Sequence, residues 1–179
     1  MTYTPVSIPK TNNGGRTKPK DAEIIIGRFK DVKSWPEPDA KGVVITEDIE
    51  LNTGANVITI ECTASTIAVS QTTEGDPDNK GVKQKLEFER PGTGDVDFEE
   101  FCENNVNEDL FAIVRYISGN VNKLFGYKGN PLQMVSETTD NNEGDKTKIT
   151  LESVLRGRRI AIYQGQLPAI QGADDDGTV

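Results

Sequence analysis

Over most of its length the chain alternates apolar and polar residues, the two-residue period of strands that bury one face and wet the other. EIIIGRFK (Glu23 to Lys30), GVVITEDIEL (Gly42 to Leu51), NVITIECTA (Asn56 to Ala64) and TIAVSQT (Thr66 to Thr72) are rich in Val, Ile and Thr and separated by Gly, Asn, Asp and Pro, so they predict strands joined by turns. The stretch Asn52 to Asn56 predicts a hairpin tip, because its Gly and Asn residues tolerate positive φ. VKQKLEFER places Leu86 and Phe88 on one face. DLFAIVRYI (Asp109 to Ile117), a turn at Ser118-Gly119-Asn120 and VNKLFGYK predict a second hairpin. LQMVSETT, an exposed tip from Asp140 to Asp145 and KITLESVL predict a third, followed by the basic turn Arg156-Gly157-Arg158-Arg159 and a last strand in IAIYQG. Gly126, Gly129 and Pro131 predict a bend between strands.

One segment repeats at helical spacing. In DVDFEEFCENNVN the apolar Phe98, Phe101 and Cys102 fall at i, i+3 and i+4, and Glu99, Glu100 and Glu103 point away. A helix near 97–106 follows, with Asp97 as its cap and Glu100 in the capping-box position. Nine or ten strands and a single helix predict a mainly β fold: an antiparallel sandwich or barrel with one flanking α-helix and extended N- and C-terminal arms. No internal repeat indicates a solenoid or propeller.

Charge separates the ends from the middle. Residues 1–22 predict a flexible basic arm carrying Lys10, Arg16, Lys18 and Lys20, residues 23–165 the β domain, and residues 166–179 an acidic tail with Asp174, Asp175 and Asp176. Opposite charges at the two ends suit head-to-tail contact between identical copies. The 179 residues carry a net charge of −9, which argues against ordinary nucleic-acid binding. Histidine is absent, which removes Ser-His-Asp and Cys-His catalysis and His-ligated zinc. The two cysteines, Cys62 and Cys102, show no metal or redox spacing and are expected as free, buried thiols. MTYTPVSIPK has no apolar signal core and no stretch is long and apolar enough to span a bilayer, so synthesis in a cytoplasm without export is expected.

Few residues offer chemistry. Asp76, Asp78 and Glu87 occupy positions one, three and twelve of a calcium-loop pattern, but Lys80 stands where an oxygen ligand belongs and Pro77 conflicts with the motif, leaving a weak candidate. Glu99, Glu100 and Glu103 fit a solvated helix face better than a glycosidase pair. Arg156, Arg158 and Arg159 fit a solvated loop or an acidic neighbour better than a small-anion site. Trp35 suits either an exposed anchor or a plug over the core. No catalytic residue and no cofactor is expected.

In EGDPDNKGVKQKLEFERPG before the helix DFEEFCENN, the hairpin LFAIVRYISGNVNKLFGY, and NEGDKTKITLESVLRGRRIAIYQG, over roughly residues 23–165, the chain resembles the major tail tube proteins of tailed bacteriophages. The resemblance implies a virion structural protein: a β-sandwich with a flanking helix, assembled into hexameric rings that stack into a tube, with termini and a long loop bridging rings. Residues 72–83 would then project as a stacking loop that orders only against the next ring. The expected interface comprises Lys10, Arg16, Lys18, Lys20, Glu74, Asp76, Asp78, Lys80, Arg156, Arg158, Arg159 and Asp174 to Asp176. Expected partners are copies of the chain itself, with tape-measure and tail-terminator proteins. DNA would pass through a bore kept from sticking by carboxylates such as Glu87 and Glu89, or Glu47 and Glu50. Another virion ring, connector or decoration protein, or a calcium- or carbohydrate-binding β-sandwich module, would have nearly the same composition.

Overall fold

A computed structural model describes residues 3–9, 18–117 and 121–171. In chain order the strands are β1 (Lys20–Arg28), β2 (Val32–Ser34), β3 (Val44–Ile45), β4 (Glu50–Leu51), β5 (Ile58–Glu61), β6 (Ala68–Glu74) and β7 (Gly81–Pro91). The helix α1 (Val96–Asn105) follows, then β8 (Leu110–Tyr116), β9 (Asn122–Phe125), β10 (Leu132–Asn141), β11 (Gly144–Ser153) and β12 (Ala161–Tyr163). The mainly β architecture with one α-helix is the one the alternation predicts.

β2 pairs with β4 in a separate two-stranded sheet, and the other ten of the twelve strands form two layers. One runs β5-β1-β8-β9-β12-β3, antiparallel except where β12 meets β3 in parallel. The other runs β10-β11-β7-β6 and is antiparallel throughout. A bridge between Leu132 and Leu110 joins them. Between the layers lies the larger core: Leu86 and Phe88 of β7 and Ile149 and Leu151 of β11 face Ile24, Ile26, Leu110, Ala112 and Val114, with Phe98 and Cys102 of α1 at one side. The two inner strands of the four-stranded layer, β7 and β11, alternate buried and wet residues because only one face of the layer is covered, while β6 and most of β10 are exposed.

The centre of the six-stranded layer, in β1 and β8, is buried on both faces, which explains why Ile24, Ile25 and Ile26 are consecutive and all buried. On its far side Ile25, Phe111, Ile113, Leu124 and Tyr163 form a second core. Phe29 and Trp35 cover it, their rings 5.5 and 5.2 Å from that of Phe111, so Trp35 is a plug and not an exposed anchor.

Several boundaries differ from the sequence reading. GVVITEDIEL is not one strand: β3 and β4 are two-residue pieces, and β4 pairs with β2 instead of completing a hairpin with β5. The turn at Asn52 exists, with Ala55 N–H donating to the Asn52 carbonyl at 2.9 Å and Gly54 at φ +79°, but its flanks enter different sheets. The cap of α1 is Asp95, which accepts from Asp97 N–H at 3.1 Å; Asp97 sits in the first turn, where a negative charge still suits the helix dipole. The β10–β11 hairpin closes more tightly than a six-residue tip, with Asp140 and Asp145 paired across it.

Both ends are also redrawn. Lys20 to Ala22 belong to β1. Leu167 and Ile170, within the stretch expected as an acidic tail, pack on the second core. Val57 donates to the Ala169 carbonyl at 2.9 Å and accepts from Gln171 N–H at 2.8 Å.

Candidate assembly surface

The two outer strands of the four-stranded layer are open along their free sides. β6 pairs only with β7. β10 pairs with β11 throughout and touches β8 at Leu132 alone, so from Val135 to Asn141 its other side has no partner among the described residues. Natural edges are commonly blunted by Lys or Pro. AVSQTTE of β6 and VSETTDN of β10 contain neither, and Val135 stands 58% exposed. Three successive antiparallel pairings leave β6 antiparallel to β10. One copy's β6 therefore has the direction needed to extend another copy's β10 by antiparallel addition.

The wet face of this layer carries charges in opposed pairs. Lys83, Lys85, Glu87 and Glu89 alternate with the buried residues of β7, across from Lys146, Lys148 and Glu152 of β11. Lys148 reaches Glu87 at 2.7 Å, Lys146 reaches Glu89 at 2.9 Å and Lys85 reaches Glu87 at 3.2 Å. The hydrogen bonds from Lys148 and Lys85 hold the Glu87 carboxyl below its ordinary range, and the Glu87 carboxylate raises Lys148 in return. Glu50, by contrast, lies on the opposite side of the molecule, in the layer over the second core, and pairs with Lys33 at 3.4 Å. Of the two alternative sets of carboxylates expected for a bore, the one with Glu50 thus lies on the other side of the molecule from Glu87 and Glu89.

The polar tract ahead of β7 is mostly paired strand. Residues 72–74 and 81–83 lie in β6 and β7, leaving a short tip from Gly75 to Lys80 where the sequence suggests a long free loop. Asp76, Asp78 and Lys80 are exposed there, with Asp78 at φ +66°, and Glu74 is exposed at the end of β6. The basic turn braces this hairpin: Val82 and Gly157 exchange both backbone hydrogen bonds, and the Arg156 side chain lies against Gly75 and Gly81. Arg158 stacks over Tyr127 at 4.1 Å and reaches Glu37 at 3.4 Å, while Arg159 is exposed. Lys18 is exposed and Lys20 lies over the Tyr116 ring at 5.7 Å. Lys10, Arg16, Asp174, Asp175, Asp176 and the turn at Ser118 to Asn120 lie outside the described residues.

Calcium coordination by the tip is not assembled. Glu87 lies six residues along β7 from Gly81, about 20 Å at strand rise, and is committed to Lys148 and Lys85. Among the described residues no group of three or more His, Cys, Asp or Glu side chains converges as a metal site, and no helix is long and apolar enough to cross a membrane. Glu99, Glu100 and Glu103 are all exposed. Cys62 and Cys102 are free and buried, with burial pushing Cys62 up to about 11.

The sequence reading expects pairing through edge strands and includes Glu74, but it does not identify β6 and β10 as the open edges. Their only local signal is the lack of Lys and Pro in two polar strands, which says nothing about which neighbours a strand has. Compared with protein-family models, with curated proteins and with solved structures, the chain matches none of them.

Proposed function

We propose that this chain is the structural subunit of a bacteriophage tail tube, assembling by strand addition into rings that stack and let DNA pass. The observation that carries the reading is the pair of unprotected edges on opposite sides of one four-stranded layer. Such a head-to-tail contact is heterologous, the type that makes a ring where the rotation between copies closes and an open filament where it does not. With six copies, four strands each give about two dozen, and barrels of 16 to 18 strands already enclose an aqueous channel.

The wet face of the layer becomes the bore lining in this arrangement. Its lysines are already bonded to Glu87, Glu89 and Glu152, so a passing phosphate must compete with a carboxylate for each one. DNA thus slides without being held. Tape-measure and terminator proteins would meet the tube at its inside and its end, in the virion.

Strand polarity makes the test simple. Val135→Lys on β10 and Thr72→Lys on β6 each place a charge beside one edge, and each should leave monomer stability within about 0.5 kcal/mol. Concentrated wild-type protein is expected to form rings or rods by negative-stain microscopy, and either variant alone should stay monomeric. An equimolar mixture should give dimers, because each variant keeps one intact edge. A wild-type protein that is strictly monomeric at high concentration, or variants that assemble like wild type, would overturn the reading.

A further inference from the structure

A groove of about 940 Å³ runs between α1 and the β1–β5 edge. β5 meets β1 along Ile58 to Glu61 and has no second strand on its other side among the described residues. Ile58 and Phe101, both half-buried, offer apolar surface in the groove. Its charges are lopsided. Arg28, Lys30 and Arg90 are already bonded to Asp31, Glu108 and Asp95. Three further carboxylates, Glu61, Asp97 and Glu100, line it with no cation bonded to them among the described residues.

The chain carries a segment of matching chemistry. Residues 3–9 are exposed throughout, including Tyr3 at 75%, Val6 at 69% and Ile8 at 85%. Val6 and Ile8 share one face of an extended chain. Pro5 and Pro9 bracket Val6-Ser7-Ile8, which limits any strand built there to a short one and guards it against open-ended pairing. Thr4 to Pro9 is itself uncharged, and the basic residues of the arm follow it directly, at Lys10, Arg16, Lys18 and Lys20, with no acidic residue in the first 20 positions. At one end of the groove Gln171 is a lining residue.

We infer that the groove between α1 and β5 is the acceptor site for the N-terminal segment Thr4 to Pro9 of a second copy of this chain, added as a short strand beside β5. The occupant is a second copy because in the single chain this segment is exposed and the groove is open. This deepens the tube reading, since it supplies a contact separate from the β6–β10 edges, and it rests on that reading for its place between rings.

The test uses full-length chains. One chain carries Ile8→Cys and a second carries Asn104→Cys, an exposed position lining the groove. Under mild oxidation with copper phenanthroline the two are expected to form a disulfide heterodimer, and a chain with both substitutions a ladder of linked oligomers. Thr53→Cys, on an exposed turn outside the groove, serves as the control partner. Adding Asp97→Lys and Glu100→Lys together to the acceptor should lower the heterodimer yield by roughly two- to fivefold. Equal yields with Asn104→Cys and the Thr53→Cys control, or a purely intrachain bridge in the double variant, would overturn the inference. Rings or rods that form normally while cross-linking fails would discard the groove and leave the tube reading standing; cross-linked head-to-tail chains without rings would do the reverse.

Discussion

Val82 donates its N–H to the Gly157 carbonyl at 2.8 Å and accepts the Gly157 N–H at 2.9 Å, a two-bond clamp between the base of the β6–β7 hairpin and the basic turn. The clamp requires glycine at 157 for reasons of space. A Cβ there would overlap the Tyr127 hydroxyl and press on Asn130, whose side chain itself holds the Leu155 N–H at 2.7 Å and carbonyl at 2.8 Å. Gly157→Ala should destabilise the protein by about 1–3 kcal/mol in chemical denaturation. Adding Tyr127→Ala should make the second substitution cost less than it does alone, since it removes the overlapping group. Simple additivity would show that the clamp is not limited by that contact.

The two thiols give a solution test of the core. Cys62 donates its S–H to the Ala22 carbonyl at 3.0 Å, and burial, with Glu61 and Asp21 nearby, pushes it up to about 11. At pH 8 only about one thiol in a thousand is then ionised, and the thiolate is the reactive form. Burial also raises Cys102. Neither should react with a thiol reagent in the native protein, and both should react at once in denaturant. Rapid native labelling of Cys62, read by mass spectrometry, would mean that β5 does not stay docked on β1.

Glu87 provides a pH dependence whose sign is fixed. Its carboxyl is held low in the folded state by hydrogen bonds from Lys148 and Lys85. Its contribution is therefore present above the unfolded carboxylate range, near pH 4.3, and is lost as pH falls through the lowered folded value. Lys148 is raised, so its share persists up to the ordinary lysine range near pH 10.4 and fades above it. Replacing Glu87 with Gln should lower the melting temperature between those limits and flatten the acid side of the melting-temperature curve. A variant whose acid limb matches wild type would show that the pair is a bystander.

How much of this was legible in the sequence depends on whether one residue's fate is set by its neighbours in the chain or by partners elsewhere. Leu86 and Phe88, alternating with Lys85, Glu87 and Glu89, read correctly because each strand residue sees a core on one side and water on the other. Phe98 and Cys102 read correctly because a helix imposes its own period. Ile45 and Ile49 did not: both are buried against the second core, but the backbone between them leaves the sheet, and Ile49 N–H is received by the Tyr163 hydroxyl at 3.2 Å, 114 residues away. The candidate surface failed for the same reason. Charge at Arg156 and Asp76 is visible in the letters, whereas the open sides of β6 and β10 depend on where β7, β8 and β11 end up. The helix cap shows a milder version, since Asp95 and Asp97 both suit the position and Arg90, bonded to Asp95 across five residues, favours the first.

Tyr163 decides where the domain ends. It is fully buried, accepts from Ile49 N–H at 3.2 Å and donates its own O–H to the Gln166 carbonyl at 2.6 Å. Beyond it, Leu167 and Ile170 cover the second core and Gln171 completes the ladder with Val57. Tyr163→Phe leaves a buried N–H and a carbonyl without their partner, at a cost of about 1–3 kcal/mol. A chain ending at Gln164 loses the bridge to Val57 and the Leu167 and Ile170 cover of the second core, and should not fold stably. A chain ending at Gln171 keeps every one of these contacts and should melt within a few degrees of the full protein while losing Asp174 to Asp176. Circular dichroism melts of the two truncations distinguish this boundary from one near residue 165, which requires both to behave like wild type.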